Sequence, residues 1–167
     1  RACIEENLPF TAIPGAAAFV MALTLSGLPV HRFCFHGFPP HKGGPRRRFL
    51  AQDVDSAYTQ IYYESPFRLA DFLTDALAVF GERPAAVAND LTKFYEEVRR
   101  GSLAELVEWV KTARIQGEYC VVIGGKPENE PGNRKKREKA RQYQWAAKGG
   151  AAEAGRATAG ARRARDR

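Results

Sequence analysis

The sequence predicts an α/β domain, and three observations carry that prediction. Strand-like and helix-like segments alternate between about residues 29 and 125. Leu69, Phe72, Leu73, Ala76, Leu77 and Phe80 recur at helical spacing, forming one apolar stripe that Gly81 closes. Two apolar strand-like runs lead into clusters of charged and hydroxyl residues, Tyr63-Glu64-Ser65-Pro66-Phe67-Arg68 and Leu91-Thr92-Lys93-Phe94-Tyr95-Glu96-Glu97. The ends of buried strands are where α/β proteins build ligand sites.

In chain order, residues 7–13 are expected to be short and extended, ending at Pro14-Gly15. These two residues then open an apolar helix over about 16–26, stopped by Gly27 with Pro29 beyond. The segment from Arg32 to Phe38 alternates large apolar and polar residues, which is the strand period. Pro39-Pro40 and Gly43-Gly44-Pro45 bracket a loop carrying Lys42. Residues 46–54 predict a short helix with a basic first turn, a charge that opposes the helix dipole unless an anion sits there. Residues 58–63 read as a buried strand, after which Ser65 suits an N-cap and Pro66 a first helical position. A strand over 85–88 and an extended run over 94–100 follow. Ser102 with Glu105 predicts a capping box for a helix to about Thr112. Gly117 then turns the chain into a last strand over 118–123.

Composition narrows the class. At 167 residues, 44% hydrophobic and 11% aromatic, the chain is long and apolar enough for one domain with a core. No apolar run approaches the ~20 residues of a membrane span. Cys3, Cys34 and Cys120 are odd in number, widely spaced and set among apolar neighbours. They read as reduced core residues, and a cytoplasmic location is expected. His31, His36 and His41 are five apart, which suits neither a helical nor a strand metal site, so no metal is expected.

The net charge of +7 is local. Residues 132–167 hold 12 Lys/Arg against 3 Asp/Glu, whereas residues 1–131 hold 14 against 16. Residues 126–167 are therefore expected to be a basic, mostly disordered tail that attracts polyanions without reading sequence.

An ordered set of motifs points further. Ile13-Pro14-Gly15 precedes a small-residue run and Ser26-Gly27-Leu28-Pro29. Phe35-His36-Gly37-Phe38 comes next, with Pro40, Lys42 and Arg46, and then Tyr63-Glu64-Ser65-Pro66-Phe67-Arg68. Leu91-Thr92-Lys93 with Glu96 and Gly101, and finally Gly117-Glu118, complete the set. In this combination the chain resembles the second half of the tetrapyrrole-methylase superfamily of S-adenosylmethionine (SAM) dependent methyltransferases. Within it, the branch that 2′-O-methylates a cytidine of small-subunit ribosomal RNA is the most similar. Two departures stand out: Ala16-Ala17-Ala18 where the family usually has a Ser, and Asn89-Asp90 where Arg-Glu is more usual.

The resemblance implies a tetrapyrrole-methylase-like second subdomain, with a mixed sheet and flanking helices. Residues 1–28 would end an amino-terminal SAM-binding subdomain that is mostly missing, and residues 29–125 would form the carboxy-terminal α/β subdomain. It implies SAM as cofactor, small-subunit ribosomal RNA as partner and a homodimer.

Site residues follow from the motifs and the resemblance together. Pro14, Gly15, Ala16, Ala17 and Ala18 leave backbone open to a ligand beside a helix amino end, although an ordinary strand-to-helix turn has the same residues. The resemblance adds Tyr63, Gly117 and Glu118 to the SAM site. Glu64, Lys93 and Glu96 are the candidates to handle the proton of a ribose hydroxyl. Lys42, Arg46, Arg47 and Arg48 suit RNA phosphates, or equally a solvated surface patch. Arg68 suits a phosphate or a structural pair with Glu64. The alternatives to ribose methylation are a non-catalytic RNA-binding remnant and a sister methylase acting on a tetrapyrrole or protein side chain.

Overall fold

The computed structural model describes residues 1–127. In it, β1 (Phe33–Phe35), β2 (Thr59–Glu64), β3 (Pro84–Asn89), β4 (Glu97–Ser102) and β5 (Tyr119–Ile123) form one sheet in the spatial order β1-β2-β5-β3-β4. β1 and β2 pair in parallel, and the other neighbours are antiparallel. The expected mixed sheet is present. Because β5 runs against both of its neighbours, the carboxyl ends of β1, β2 and β3 share one edge with the amino ends of β4 and β5. Along that edge Glu64, Tyr119, Asn89 and Glu97 are successive cross-strand partners.

Helices α3 (Gly43–Ala51), α4 (Leu69–Phe80) and α5 (Leu103–Thr112) cover one face, and α2 (Ala18–Ser26) covers the other. Strand alternation decides which side chain meets which helix. Tyr62 and Val121 join Phe72 and Leu106 in the larger core, while Ile61, Ala88, Cys120 and Val122 meet Ala22 and Leu23 of α2. β5 is apolar and buried at every position, as a central strand covered on both sides must be. α4 buries the expected stripe of Leu69, Phe72, Leu73, Ala76 and Phe80. Burying side chains of this kind stabilises by ~1.5–3 kcal/mol for each large one. Gly81 ends α4 at φ +70°. α5 opens on the expected capping box, with the Glu105 N–H donating to Ser102 Oγ and the Ser102 N–H donating to the Glu105 carboxylate.

Five local expectations are corrected. Residues 7–13 form no strand: a single-turn helix, α1 (Ala2–Glu5), leads into exposed irregular backbone without a sheet partner. α2 begins at Ala18, not at residue 16, because Ala17 is still extended (φ −131°, ψ 114°). Pro14 and Gly15 therefore precede the helix without opening it. α3 begins at Gly43, so Arg46, Arg47 and Arg48 fall beyond its first three residues and the conflict with the dipole eases. Ser65 and Pro66 do not start α4 either. The Ser65 N–H is taken by the Glu64 carboxylate, Ser65 accepts the Arg68 N–H, and Arg68 is the N-cap. Finally, residues 94–96 belong to a closed loop, and the extended run starts at Glu97.

The helix that the sequence assigns to a 1–28 subdomain, α2, packs on β5, β3 and β2. Most of the tail expected over 126–167 lies outside the described residues.

Candidate functional site

A cleft of about 250 Å³ opens at the shared strand edge, on the α2 side of the sheet. Its floor is Tyr63, Ala88 and Cys120, its α2 wall is Ala18, and Phe38 and Leu91 close it from two loops. Glu64, Glu118 and Tyr119 complete the lining, so carboxylates border a largely apolar hollow. Tyr63 fixes the geometry. Its hydroxyl accepts the Phe19 N–H at 3.1 Å, satisfying an amide that the first turn of α2 leaves unpaired. Its ring meets Phe35 edge-on at 5.0 Å and Phe38 at 5.5 Å. Burial pushes the Cys120 thiol up to about 12, so it lines the cleft as a neutral group.

Glu64 ends β2 with its side chain only 1% exposed. Oε1 accepts from the Ser65 N–H at 2.7 Å and from Arg68 Nε at 2.9 Å. Oε2 is enclosed and has no hydrogen-bond partner among the described residues. A buried acceptor left unmade costs ~1–3 kcal/mol or more. Arg68 is thus committed to Glu64 and partly shielded.

The loop after β3 is held in an unusual form. Asp90 and Thr92 both have positive φ, +45° and +67°, and for a β-branched residue that is a genuine outlier. Three contacts hold them there. The Thr92 N–H donates to Glu96 Oε2 at 2.7 Å, and the Lys93 ammonium bonds both Asp90 Oδ1 and Glu118 Oε2 at 3.0 Å. Across the cleft rim, the Asp90 N–H donates to the Glu118 carbonyl. Gly117 is required here: its φ is +91°, and an added Cβ would collide with the Asp90 carboxylate. The hydrogen bonds that Lys93 donates to Glu118 and Asp90 raise its pKa above the ordinary lysine value.

Among the expected cofactor residues, Ala18, Tyr63 and Glu118 line the cleft and Gly117 supports it. Pro14, Gly15, Ala16 and Ala17 lie on the chain leading to α2, and no atom lies within 4 Å of a Cβ added at Gly15. Glu64 is in the cleft, Lys93 is at its rim, and Glu96 braces the loop without lining the cavity. Lys42, Arg47 and Arg48 are exposed on and beside α3. Arg46 is not: its side chain is 4% exposed, and Asp75 of α4 holds its guanidinium at 2.7 Å. Its expected place on a phosphate-facing patch is corrected, since the α3–α4 contact consumes its charge. Arg47 reaches the other Asp75 oxygen at 2.8 Å but remains half-exposed. His36 stacks on Tyr62 at 4.8 Å and lies 2.6 Å from Gln60 Oε1, a packing role.

Phe38, Leu91, Ala88, Tyr119, Cys120 and Asp90 belong to the site or its rim and were not singled out by sequence. Phe38 and Leu91 did stand inside recognised strings. Asp90 stood in the Asn89-Asp90 departure, and Ala88, Tyr119 and Cys120 had no signal of their own, because a buried strand residue looks alike whether it faces a helix or a cavity.

The family model for tetrapyrrole (corrin/porphyrin) methylases matches residues 1–107. The chain belongs to that family. Among the curated relatives of the chain is the Ribosomal RNA small subunit methyltransferase I of Mycobacterium tuberculosis. It is 46% identical over 125 residues, covering 74% of this chain and 44% of the relative. The protein of the same name from Halalkalibacterium halodurans is 44% identical over 125 residues, covering 75% and 43%. The chain thus spans less than half the length of these relatives. Two solved structures share the fold. A cobalamin-biosynthetic cobalt precorrin-4 methyltransferase matches with TM-score 0.51 and 15% identity, over 74% of this chain and 55% of that one. The methyltransferase CobJ matches with TM-score 0.52 and 19% identity, over 71% and 52%.

Proposed function

We propose that this tetrapyrrole methylase chain forms one wall of a SAM site in an enzyme that methylates the ribose 2′-hydroxyl of a cytidine in small-subunit ribosomal RNA. The similarity to proteins named as small-subunit rRNA methyltransferases runs over 125 residues, and the cleft has a chemistry that suits the cofactor. Its apolar floor accepts an adenine or a methionine stem, and the unpartnered Glu64 Oε2 accepts a hydroxyl or ammonium hydrogen. At about 250 Å³ it is smaller than the ~300–1,000 Å³ usual for a complete ligand pocket, consistent with a single wall.

Bound SAM would supply an electrophilic methyl group. The chain's own part is orientation and charge. Glu64 is held rigidly by Ser65 and Arg68, so its free oxygen has one direction in which to accept a hydrogen bond. Lys93 orders the rim: its ammonium is shared between the Asp90 and Glu118 carboxylates, which fixes the loop beside the cleft. Lys42 and Arg48 are exposed on the adjoining surface, where they would meet phosphates.

Glu64 with its enclosed, unpartnered oxygen is the single observation that carries this reading beyond family resemblance. The test is methyl transfer from labelled SAM to isolated small ribosomal subunits by the polypeptide that carries this chain, with the product nucleoside identified by mass spectrometry. 2′-O-methylcytidine is the expected product. Label on a base, on ribosomal protein or only on a tetrapyrrole overturns the assignment.

A further inference from the structure

A second cleft, of about 290 Å³, opens on the α5 side of the same strand edge. It is lined by Asn89 at the end of β3, Glu97 and Arg99 on β4, Trp109 in α5, Arg114 just past that helix, and Tyr119 of β5. Tyr119 also lines the first cleft, so the two hollows are neighbours across one strand.

Three features give this cleft a ligand chemistry. Asn89 Oδ1 is enclosed and has no hydrogen-bond partner among the described residues, so this oxygen has lost water without a described protein group in exchange. The Arg99 guanidinium sits 5.4 Å from the centre of the Trp109 ring and 3.3 Å from Glu97 Oε1, forming a planar cationic and aromatic wall. Arg114 is exposed and makes no ion pair among the described residues. Two guanidinium groups against one carboxylate leave the cleft positive.

A planar heterocycle with hydrogen-bonding edges, joined to an anion, matches that set. Unpaired RNA is recognised by stacking on aromatic rings or guanidinium planes and by hydrogen bonds to base edges. We propose that the second cleft holds one unpaired nucleotide of the substrate RNA beside the nucleotide that is methylated. The base meets Trp109, Arg99 and the Asn89 carboxamide, and the phosphate meets Arg114. This rests on the RNA-methylating reading above and assigns that substrate a second contact, on a face of the sheet that the first cleft does not use.

The test uses the full chain and a short single-stranded oligoribonucleotide, with fluorescence anisotropy over a salt series. Asn89→Ala is expected to weaken binding roughly tenfold with an unchanged salt slope, and Arg114→Ala is expected to weaken it and lower the slope by about one. The melting temperature of Asn89→Ala is expected to hold or rise, because the unpaired acceptor is gone. Unchanged oligoribonucleotide affinity in both variants overturns the proposal. So does a melting temperature that falls along with affinity, which would mark Asn89 as structural. The product analysis above stands or falls separately: 2′-O-methylcytidine formed with full affinity in both variants would sink this inference alone.

Discussion

The Lys93 ammonium lies 3.0 Å from Glu118 Oε2 and so ties the loop after β3 to the start of β5 across the cleft rim. The same ammonium holds Asp90, 3.0 Å away on its own loop. Both partners raise its pKa. A group whose folded pKa is raised contributes stability that is complete below its unfolded value, ~10.4 for lysine, and is lost as pH climbs through the folded one. Amide exchange protection in residues 90–96 is therefore expected to be flat from neutral pH to the unfolded lysine value, and to fall only above it. Lys93→Met should lower that protection at neutral pH, whereas Lys93→Arg should retain most of it.

Gly117→Ala tests the backbone beneath that tie. The residue has φ +91°, and a methyl group there meets the Asp90 carboxylate. A loss of about 1–3 kcal/mol is expected. Urea unfolding measures it as a lower midpoint at unchanged slope.

Glu64→Gln separates charge from shape. The amide keeps an oxygen for the Ser65 N–H, but it loses the charge that holds Arg68. Calorimetric affinity for S-adenosylhomocysteine, measured on the polypeptide carrying this chain, is expected to drop about tenfold or more, as for one charge-assisted hydrogen bond. Unaltered affinity would remove Glu64 from the cofactor site.

Adjacent arginines on α3 should behave differently. Arg46→Ala leaves Asp75 buried with only Arg47 as partner, and a loss of about 3 kcal/mol is expected in urea unfolding. Arg48 is exposed, so Arg48→Ala should change stability by less than about 0.5 kcal/mol. If Arg48 meets phosphate, its removal weakens RNA binding and lowers the salt slope by about one.

The α4 stripe, the Ser102–Glu105 capping box and the β2, β3 and β5 segments were legible because each depends on neighbours close in sequence. Arg46 was misread because its partner lies 29 residues away on another helix, and no local pattern reveals a buried ion pair of that span. The start of α4 was misread for a similar reason. Ser65-Pro66 is a good opening on propensity, but the Glu64 side chain takes the amide of Ser65 and makes a turn instead. In the site, motif strings located Tyr63, Glu64, Lys93 and Glu118. The order of strands, which sets β5 between β2 and β3 and brings Cys120 beside Tyr63, is a tertiary fact that periodicity does not contain.

Tyr63 and Phe19 stand 44 residues apart and are joined by one hydrogen bond. A single phenolic oxygen thus fastens the roof of the hollow to its base. Phenylalanine at this position would keep the ring's contacts with Phe35 and Phe38 yet remove the bond to the helix above. The aperture is adjustable by one atom, with the sheet left untouched.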